Sequence, residues 1–381
     1  MMKRVIAAVL VMALCSVNVQ FVYGQQDLTP NATSSILIDA SSKQVLKSKN
    51  ETERLYPAST TKIMTMILLF EAINNKKISW DDIITTSELA ASMGGSQVYL
   101  EVGEKMSVSD LFKAIAISSA NDASVAIGEH IAGTIQEFVD MMNKKAKELH
   151  LVNTHFENAT GLHEENHYTC AIDLAMMGAY LVEIGKDELL RVSSMYDGYI
   201  REDSPQSFWL VNTNKLLKVY QGVDGLKTGY TKEAGYCLVT TAKRNGLRLI
   251  GVVMKEAEPK VRNEEMCRLL DYGYSSYKQV TLFKKDEVVD QLEINNSEKK
   301  SIPIVCKEDI VYIQNKSDMK KMRYEILYDK SKPPITMGEK VGIINVFLED
   351  TLVASYPIYS NEDVGMLNFF EKALKIIQDL L

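Results

Sequence analysis

The chain has 381 residues, 46% of them hydrophobic and 24% charged, and a formal net charge of −7. That length and balance exclude a disordered chain and allow a large core shared between two or three domains. The negative charge, with no basic stripe carrying interleaved aromatics, excludes a nucleic-acid binder.

Met1-Met2-Lys3-Arg4, the apolar run from Val5 to Cys15 and the stretch ending Val22-Tyr23-Gly24 predict a secretory signal peptide cut after Gly24. Its apolar core is short for a membrane span, and Leu14 before Cys15 is too bulky for a lipoprotein signal. Loss of Lys3 and Arg4 leaves a mature charge of about −9. Cys170, Cys237, Cys267 and Cys306 remain. Their wide spacing, without a C-x-x-C pair, predicts free thiols buried as small apolar groups.

Ser35 to Val45 alternates as a strand does. Ala58 to Phe70 is apolar nearly all round, which predicts a helix buried in the middle of a domain. Val108 to Gly133 reads as two helices interrupted at Ser118-Ser119-Ala120-Asn121-Asp122 by a turn and a cap. Val139 to Leu149 is a further amphipathic helix. Thr169 is placed to cap a helix over Ala171 to Tyr180, with Asp173 in its first turn.

Before that helix, His163-Glu164-Glu165-Asn166-His167 matches H-E-x-x-H. The pattern holds zinc when both histidines share one face of a regular helix and a third ligand is supplied. Here it follows the turn residues Asn158-Ala159-Thr160-Gly161 and precedes the helix, so the histidines fall in a loop. No third ligand is evident downstream, and no metal site is expected.

Gly225 to Thr231, Tyr236 to Ala242 and Leu247 to Met254 predict three antiparallel strands, the last two joined by Lys243-Arg244-Asn245-Gly246. Glu264 to Tyr274 predicts a closing helix. After Tyr277, Val/Ile/Tyr-rich runs such as Ile310 to Gln314, Tyr324 to Tyr328 and Val341 to Leu348 predict a small all-β domain. From Asp363 to Leu381 the residues Leu367, Phe370, Leu374, Ile377 and Leu381 share a stripe, which predicts a terminal amphipathic helix lying in a membrane interface.

Three short motifs could carry chemistry. Ser59 and Lys62, at i and i+3 near a helix start, share a face, which brings the amine within reach of the hydroxyl. Burial and a second cation would lower the Lys62 pKa toward that of a base. The same S-x-x-K spacing recurs at Ser275, Ser297 and Ser317, where it reads as solvated surface. Ser119-Ala120-Asn121 sits at the helix break, where short polar residues also simply cap and turn. Lys227-Thr228-Gly229 falls on an edge strand, which offers backbone groups to an extended peptide, Lys and Thr to a carboxylate, and Gly for close approach.

In this order, behind a signal peptide, the three motifs resemble those of the low-molecular-weight penicillin-binding proteins, the serine-type D-alanyl-D-alanine carboxypeptidases. The resemblance runs from about Ser35 to Tyr277 and includes Ala120-Asn121-Asp122-Ala123-Ser124, Met142-Asn143-Lys144-Lys145-Ala146, Asn158-Ala159-Thr160-Gly161-Leu162 and Asn212-Thr213-Asn214. It implies an α+β fold with a β-lactamase/transpeptidase-like catalytic domain, an antiparallel sheet with helices on both sides, over residues 25–277. An all-β domain over 278–362 and the helix over 363–381 follow.

For chemistry, the resemblance implies Ser59 as nucleophile, Lys62 as its base, Ser119 as proton relay and Asn121 as orienting group. Lys227 and Thr228 would receive the terminal carboxylate, Gly229 would leave room for the substrate, and the Ser59 and Tyr230 N–H groups would be oxyanion donors. His167 would buttress the cleft. It implies no cofactor. The partners would be the peptidoglycan stem peptide, β-lactams as inhibitors and the membrane surface, with the enzyme peripheral on the outer face of the cytoplasmic membrane. A β-lactamase or transpeptidase on the same machinery, or an idle wall-binding protein, are the alternatives. The small Ala120, and the lack of a Glu in an E-x-x-L-N context between Asn121 and Lys227, disfavour dedicated antibiotic hydrolysis.

Overall fold

A computed structural model describes residues 27–368, apart from 203, 296 and 319. The predicted signal peptide and residues 369–381 of the predicted terminal helix lie outside the described residues.

The chain begins with a hairpin, β1 (Ser34–Asp39) and β2 (Val45–Lys49). The single strand expected from Ser35 to Val45 is therefore two. The Asp39 carboxylate accepts from the N–H and hydroxyl of Ser42, both at 2.7 Å, and Lys43 adopts a left-handed φ of 60°. This local polar turn defeats continued extension. A 3-10 turn over Ala58–Thr61 then feeds α1 (Lys62–Asn74), followed by β3 (Ile83–Thr85), α2 (Glu88–Ala91), β4 (Lys105–Ser107), α3 (Val108–Ser118), α4 (Asn121–Ala132) and α5 (Ile135–Glu148).

Next come α6 (Ala171–Ser193), broken at Lys186, the hairpin β5 (Asp197–Ile200) and β6 (Phe208–Val211), and the short α7 (Leu216–Val219). Strands β7 (Val223–Thr231), β8 (Gly235–Arg244) and β9 (Leu247–Glu256) lead into α8 (Pro259–Ser276).

The main antiparallel sheet has the order β2-β1-β9-β8-β7, which leaves β7 at an edge. Asn245 and Gly246, both at positive φ, make the expected β8–β9 turn. Period-2 alternation sends β1 side chains to two cores. Ile36 and Ile38 pack with α1, α3 and α6 residues such as Met66, Phe112 and Leu174, while Leu37 packs with Leu269 and Leu270 of α8. Helices thus cover both faces, and α1, enclosed on one of them by α4, α5, α6 and β7, is apolar all round for that reason.

Two expected caps are absent. Thr169 bonds Thr154 instead, 2.7 Å between hydroxyl oxygens, and Cys170 occupies the cap of α6 without a side-chain bond. Likewise Ala120 opens α4 with no side chain to offer, while Ser119 closes α3 at a left-handed φ of 65°. Thr169 thus trades local capping for a tertiary partner, whereas Ser119 Oγ has none among the described residues.

The smaller region contains β10 (Tyr277–Phe283), β11 (Val288–Glu293), β12 (Ser301–Val305), β13 (Ile310–Asn315), β14 (Met322–Tyr328), β15 (Lys340–Leu348) and β16 (Thr351–Ser360). A second antiparallel sheet orders β11-β12-β16-β15-β14, and β10 pairs β13. Ile302, Ile304, Ile344 and Ile358 centre its core. Residues 363–368 correct the predicted start of the terminal helix. Val364 exchanges backbone bonds with Ile335 at 2.8 and 3.0 Å, and both are buried in this core. Burying β-branched Val364 beside Ile335 gains more than an added helical turn.

No helix among the described residues is long and apolar enough to cross a membrane. Cys170, Cys237, Cys267 and Cys306 are free; three are buried and Cys267 is half-buried.

Candidate active site

The 3-10 turn, α4 and edge strand β7 bring Ser59, Lys62, Ser119, Asn121, Lys227 and Thr228 to one cleft. Ala58 opens the turn at a left-handed φ of 47°, and Ser59 is half-exposed directly after it. One turn on, Lys62 is completely buried. Its Nζ lies 3.1 Å from Ser59 Oγ, 2.6 Å from Asn121 Oδ1 and 2.7 Å from the Thr160 carbonyl. These three partners match the three hydrogen positions of a primary ammonium. In the neutral amine one position becomes a lone pair, which the Ser59 hydroxyl can fill as donor.

Burial pushes the Lys62 pKa well down, and the charge of Lys227 pushes it further; Asp122 acts in the opposite sense. Burial, then Arg262, pushes Lys227 down to about 7. Among the described residues Lys227 Nζ donates to its neighbour's carbonyl alone, Thr228 O at 3.0 Å. Thr228 donates to Thr213 Oγ1 at 2.6 Å. Arg262, on α8, is itself held down to about 10 by burial. Two buried lysines and a buried arginine therefore adjoin, an arrangement that disfavours protonation of the lysines and that an incoming anion relieves.

Glycines let the backbones meet. A Cβ on Gly229 would stand 2.8 Å from Pro57 O and 3.0 Å from the nitrogens of Ser59 and Thr60, so only Gly brings β7 this close to the Ser59 turn. Tyr230 beyond it is exposed and stacks on Tyr236, centroids 4.3 Å apart. Ser119 Oγ is buried and has no hydrogen-bond partner among the described residues. An unpaired buried hydroxyl costs about 1–3 kcal/mol, which points to use rather than stability.

The sequence motifs did not assign parts to Asp122, Thr160, Thr213 or Arg262. Asp122 is fully buried and accepts from the N–H groups of Val98, Leu100 and Ala123. Its adjacency to Asn121 was the available signal. Thr160 and Thr213 sit in Asn158-Ala159-Thr160-Gly161 and Asn212-Thr213-Asn214. Arg262 had no local signal, because α8 reaches the cleft only through the fold.

The H-E-x-x-H pattern lies in a loop, as its neighbours predicted. His167 Nδ1 accepts from the Glu157 N–H at 3.1 Å, and Nε2 is 2.8 Å from Thr61 Oγ1. Both ring nitrogens are spent on the residue beside Lys62 and on the loop. Burial drops the His167 pKa to about 3, so the ring stays neutral. His163 packs edge-on against Tyr56. Among the described residues no group of three His, Cys, Asp or Glu side chains could hold a metal ion.

An antiparallel sheet clothed by helices on both faces, with a serine, a buried lysine and an S-x-N turn in one cleft, defines the class of serine acyl-transfer enzymes. The family model of D-alanyl-D-alanine carboxypeptidases (peptidase S11) matches residues 22–258, and that of the penicillin-binding protein 5 C-terminal domain matches residues 277–366. The chain is 41% identical to D-alanyl-D-alanine carboxypeptidase DacF of Bacillus subtilis, over 98% of each chain. It superposes on penicillin-binding protein 5 of Haemophilus influenzae with a TM-score of 0.73 at 30% identity, covering 88% of this chain and 98% of that one. Penicillin-binding protein D2 of Listeria monocytogenes, solved in an ampicillin-bound form, matches at 30% identity and TM-score 0.59 over 65% of this chain and all of its own.

The chain belongs to the D-alanyl-D-alanine carboxypeptidase family and is a serine-type carboxypeptidase of the penicillin-binding protein group.

Proposed function

We propose that Ser59, Lys62, Ser119, Asn121, Lys227, Thr228, Gly229 and Tyr230 are the working site of this enzyme, acting on the terminal D-Ala-D-Ala of peptidoglycan stem peptides. The 3.1 Å separation of Ser59 Oγ from the buried Lys62 amine is the observation that carries this reading.

Ser59 Oγ attacks the penultimate carbonyl carbon as its proton passes to Lys62 Nζ. The Ser59 and Tyr230 N–H groups take the oxyanion, and losing one such donor typically costs about 3 kcal/mol. The peptide C–N bond then breaks as Ser119 gives its proton to the leaving amine and takes up the one held on Lys62 Nζ, releasing D-Ala, leaving an ester on Ser59 and returning Lys62 to its neutral form. Water hydrolyses the ester and restores the hydroxyl. Lys227 and Thr228 receive the free carboxylate, which accounts for a substrate ending at that point. Asn121 keeps the Lys62 amine aimed at Ser59.

A β-lactam presents a strained amide and a carboxylate to the same groups, so it acylates Ser59. The ampicillin-bound relative supports this. We further propose that the enzyme works outside the cytoplasm after loss of residues 1–24, with 25–277 as catalytic unit and an all-β unit to 362. Peripheral hold on the membrane comes from the apolar stripe Phe370, Leu374, Ile377 and Leu381.

The test is release of D-Ala from a muramyl pentapeptide analogue. Wild type releases D-Ala and takes a fluorescent penicillin label, and Ser59→Ala does neither. A labelled or active Ser59→Ala protein would overturn the assignment. A chain ending at 368 that still sediments with membranes would remove the anchoring role.

A further inference from the structure

One segment, residues 94–104, is gripped from two directions. From the cleft side, Asn121 Nδ2 donates to the Gly94 carbonyl at 2.6 Å and the Asn121 N–H to the Ser96 carbonyl at 2.7 Å. The Asp122 carboxylate accepts from the N–H groups of Val98 and Leu100 at 3.0 and 3.1 Å. From the outer side, one residue does the corresponding work. Arg201 Nη1 donates to the Val98 carbonyl at 2.9 Å and Nη2 to the Tyr99 carbonyl at 3.4 Å. Its Nε and Nη2 also hold the two carboxylate oxygens of Glu104 at 2.6 and 3.0 Å.

Val98 is thus shared: its N–H faces Asp122 and its carbonyl faces Arg201. The ion pair is not a loose surface contact, because the Arg201 and Glu104 side chains are only 12% and 21% exposed. Arg201 stands at φ 57° just past β5, a left-handed conformation that a non-glycine residue keeps only when its surroundings hold it there. The planar fork suits two carboxylate oxygens and two carbonyls at once, which a lysine ammonium does not.

We infer that Arg201 is a positioning residue for acyl transfer, locking residues 94–104 onto Asn121 and so keeping Asn121 Oδ1 on the Lys62 amine. Asn121 has two side-chain ends in use, one on Lys62 and one on Gly94. Release of the loop frees the second end, and the amide then turns away from Lys62. This inference rests on Lys62 being the base for Ser59.

The experiment compares Arg201→Ala, Arg201→Lys and Glu104→Gln in the full chain, with kcat and KM for D-Ala release, acylation by fluorescent penicillin and melting temperature. In Arg201→Ala kcat and acylation fall about tenfold to a hundredfold while KM changes little, because displacement by ångströms costs rate. The Lys variant recovers only part of that, and Glu104→Gln, which keeps the fold with one good acceptor, loses less in the same direction. The acid limb of the acylation profile, where Lys62 loses its proton, moves in Arg201→Ala, since Lys62 has lost an oriented partner. In an Asn121→Ala background Arg201→Ala brings no further loss. Wild-type kcat in a folded Arg201→Ala protein, a change confined to KM, or an undiminished loss in the Asn121→Ala background would each overturn the inference. Turnover surviving in Ser59→Ala would instead overturn the reaction that Arg201 is inferred to serve.

Discussion

A Cβ on Gly161 would lie 1.8 Å from the carbonyl oxygen of Ala58, the residue that precedes Ser59. Two left-handed residues, Gly161 at φ 84° and Ala58 at φ 47°, therefore meet backbone to backbone beside Ser59. The Asn158 side chain pins this loop by accepting from the N–H groups of Thr160 and Gly161. The loop's Thr160 carbonyl in turn receives the Lys62 amine.

Gly161→Ala must push the loop or the Ser59 turn aside. The expected cost is about 1–3 kcal/mol in stability together with slower acylation, read from melting temperature and penicillin labelling. Normal labelling rates in the variant would show that the Ser59 turn does not depend on this packing.

The two lysines give opposite limbs to the pH profile. As the proposed base, Lys62 acts only when neutral, so acylation is expected to rise with pH through its depressed pKa. As the proposed carboxylate site, Lys227 acts only when charged, so KM is expected to rise above about pH 7. Bound carboxylate favours the charged form, and binding above that pH takes up a proton. Lys227→Arg, which stays protonated, extends low KM to higher pH. An unchanged alkaline limb in that variant would remove Lys227 from carboxylate binding. For stability the sign is fixed by proton counting. Between about pH 7 and 10.5 the unfolded chain holds a proton at Lys227 that the folded chain lacks, so this group makes stability rise with pH across that window.

Ser119 offers a separation of activity from stability. Its buried hydroxyl has no protein partner, so Ser119→Ala removes an unpaired group and leaves melting temperature unchanged or slightly higher. Loss of a proton relay costs roughly 100-fold to 10,000-fold in turnover. A small activity loss in the Ala variant would mean that protonation of the leaving amine takes another route.

His167 is structural support. His167→Ala strands the Glu157 N–H and the Thr61 hydroxyl, at an expected cost of about 1–3 kcal/mol in thermal or denaturant unfolding. Chelators leave D-Ala release unchanged. Strong inhibition by a chelator, reversed by zinc, would restore the metal reading of His163 to His167.

Much of the architecture was legible because it is written in local periodicity. Alternation and the Asn245-Gly246 turn marked β8 and β9, and the all-round apolar pattern of α1 marked a helix enclosed by its domain. The boundaries that failed did so for non-local reasons. Thr169 left its capping position for Thr154, and Val364 left the predicted helix for Ile335. The Asp39 to Lys43 turn was missed because a polar side chain there satisfies backbone groups that a strand would have used.

The sequence by itself determined the chemical parts and their order: Ser59 with Lys62 one turn on, Ser119 with Asn121 at a helix break, Lys227 and Thr228 on an edge strand. Tertiary structure alone decided what those parts are worth. Burial sets the protonation of Lys62 and Lys227, and burial depends on elements far apart in the chain that no local pattern brings together. Approach distances are decided in the same way: Gly229 and Gly161 are unremarkable letters until β7 and the Thr160 loop meet the Ser59 turn from opposite parts of the fold. Arg201 and Arg262 carry no motif at all; the fold places one against residues 94–104 and the other near Lys227, and their charges act there through space rather than along the chain.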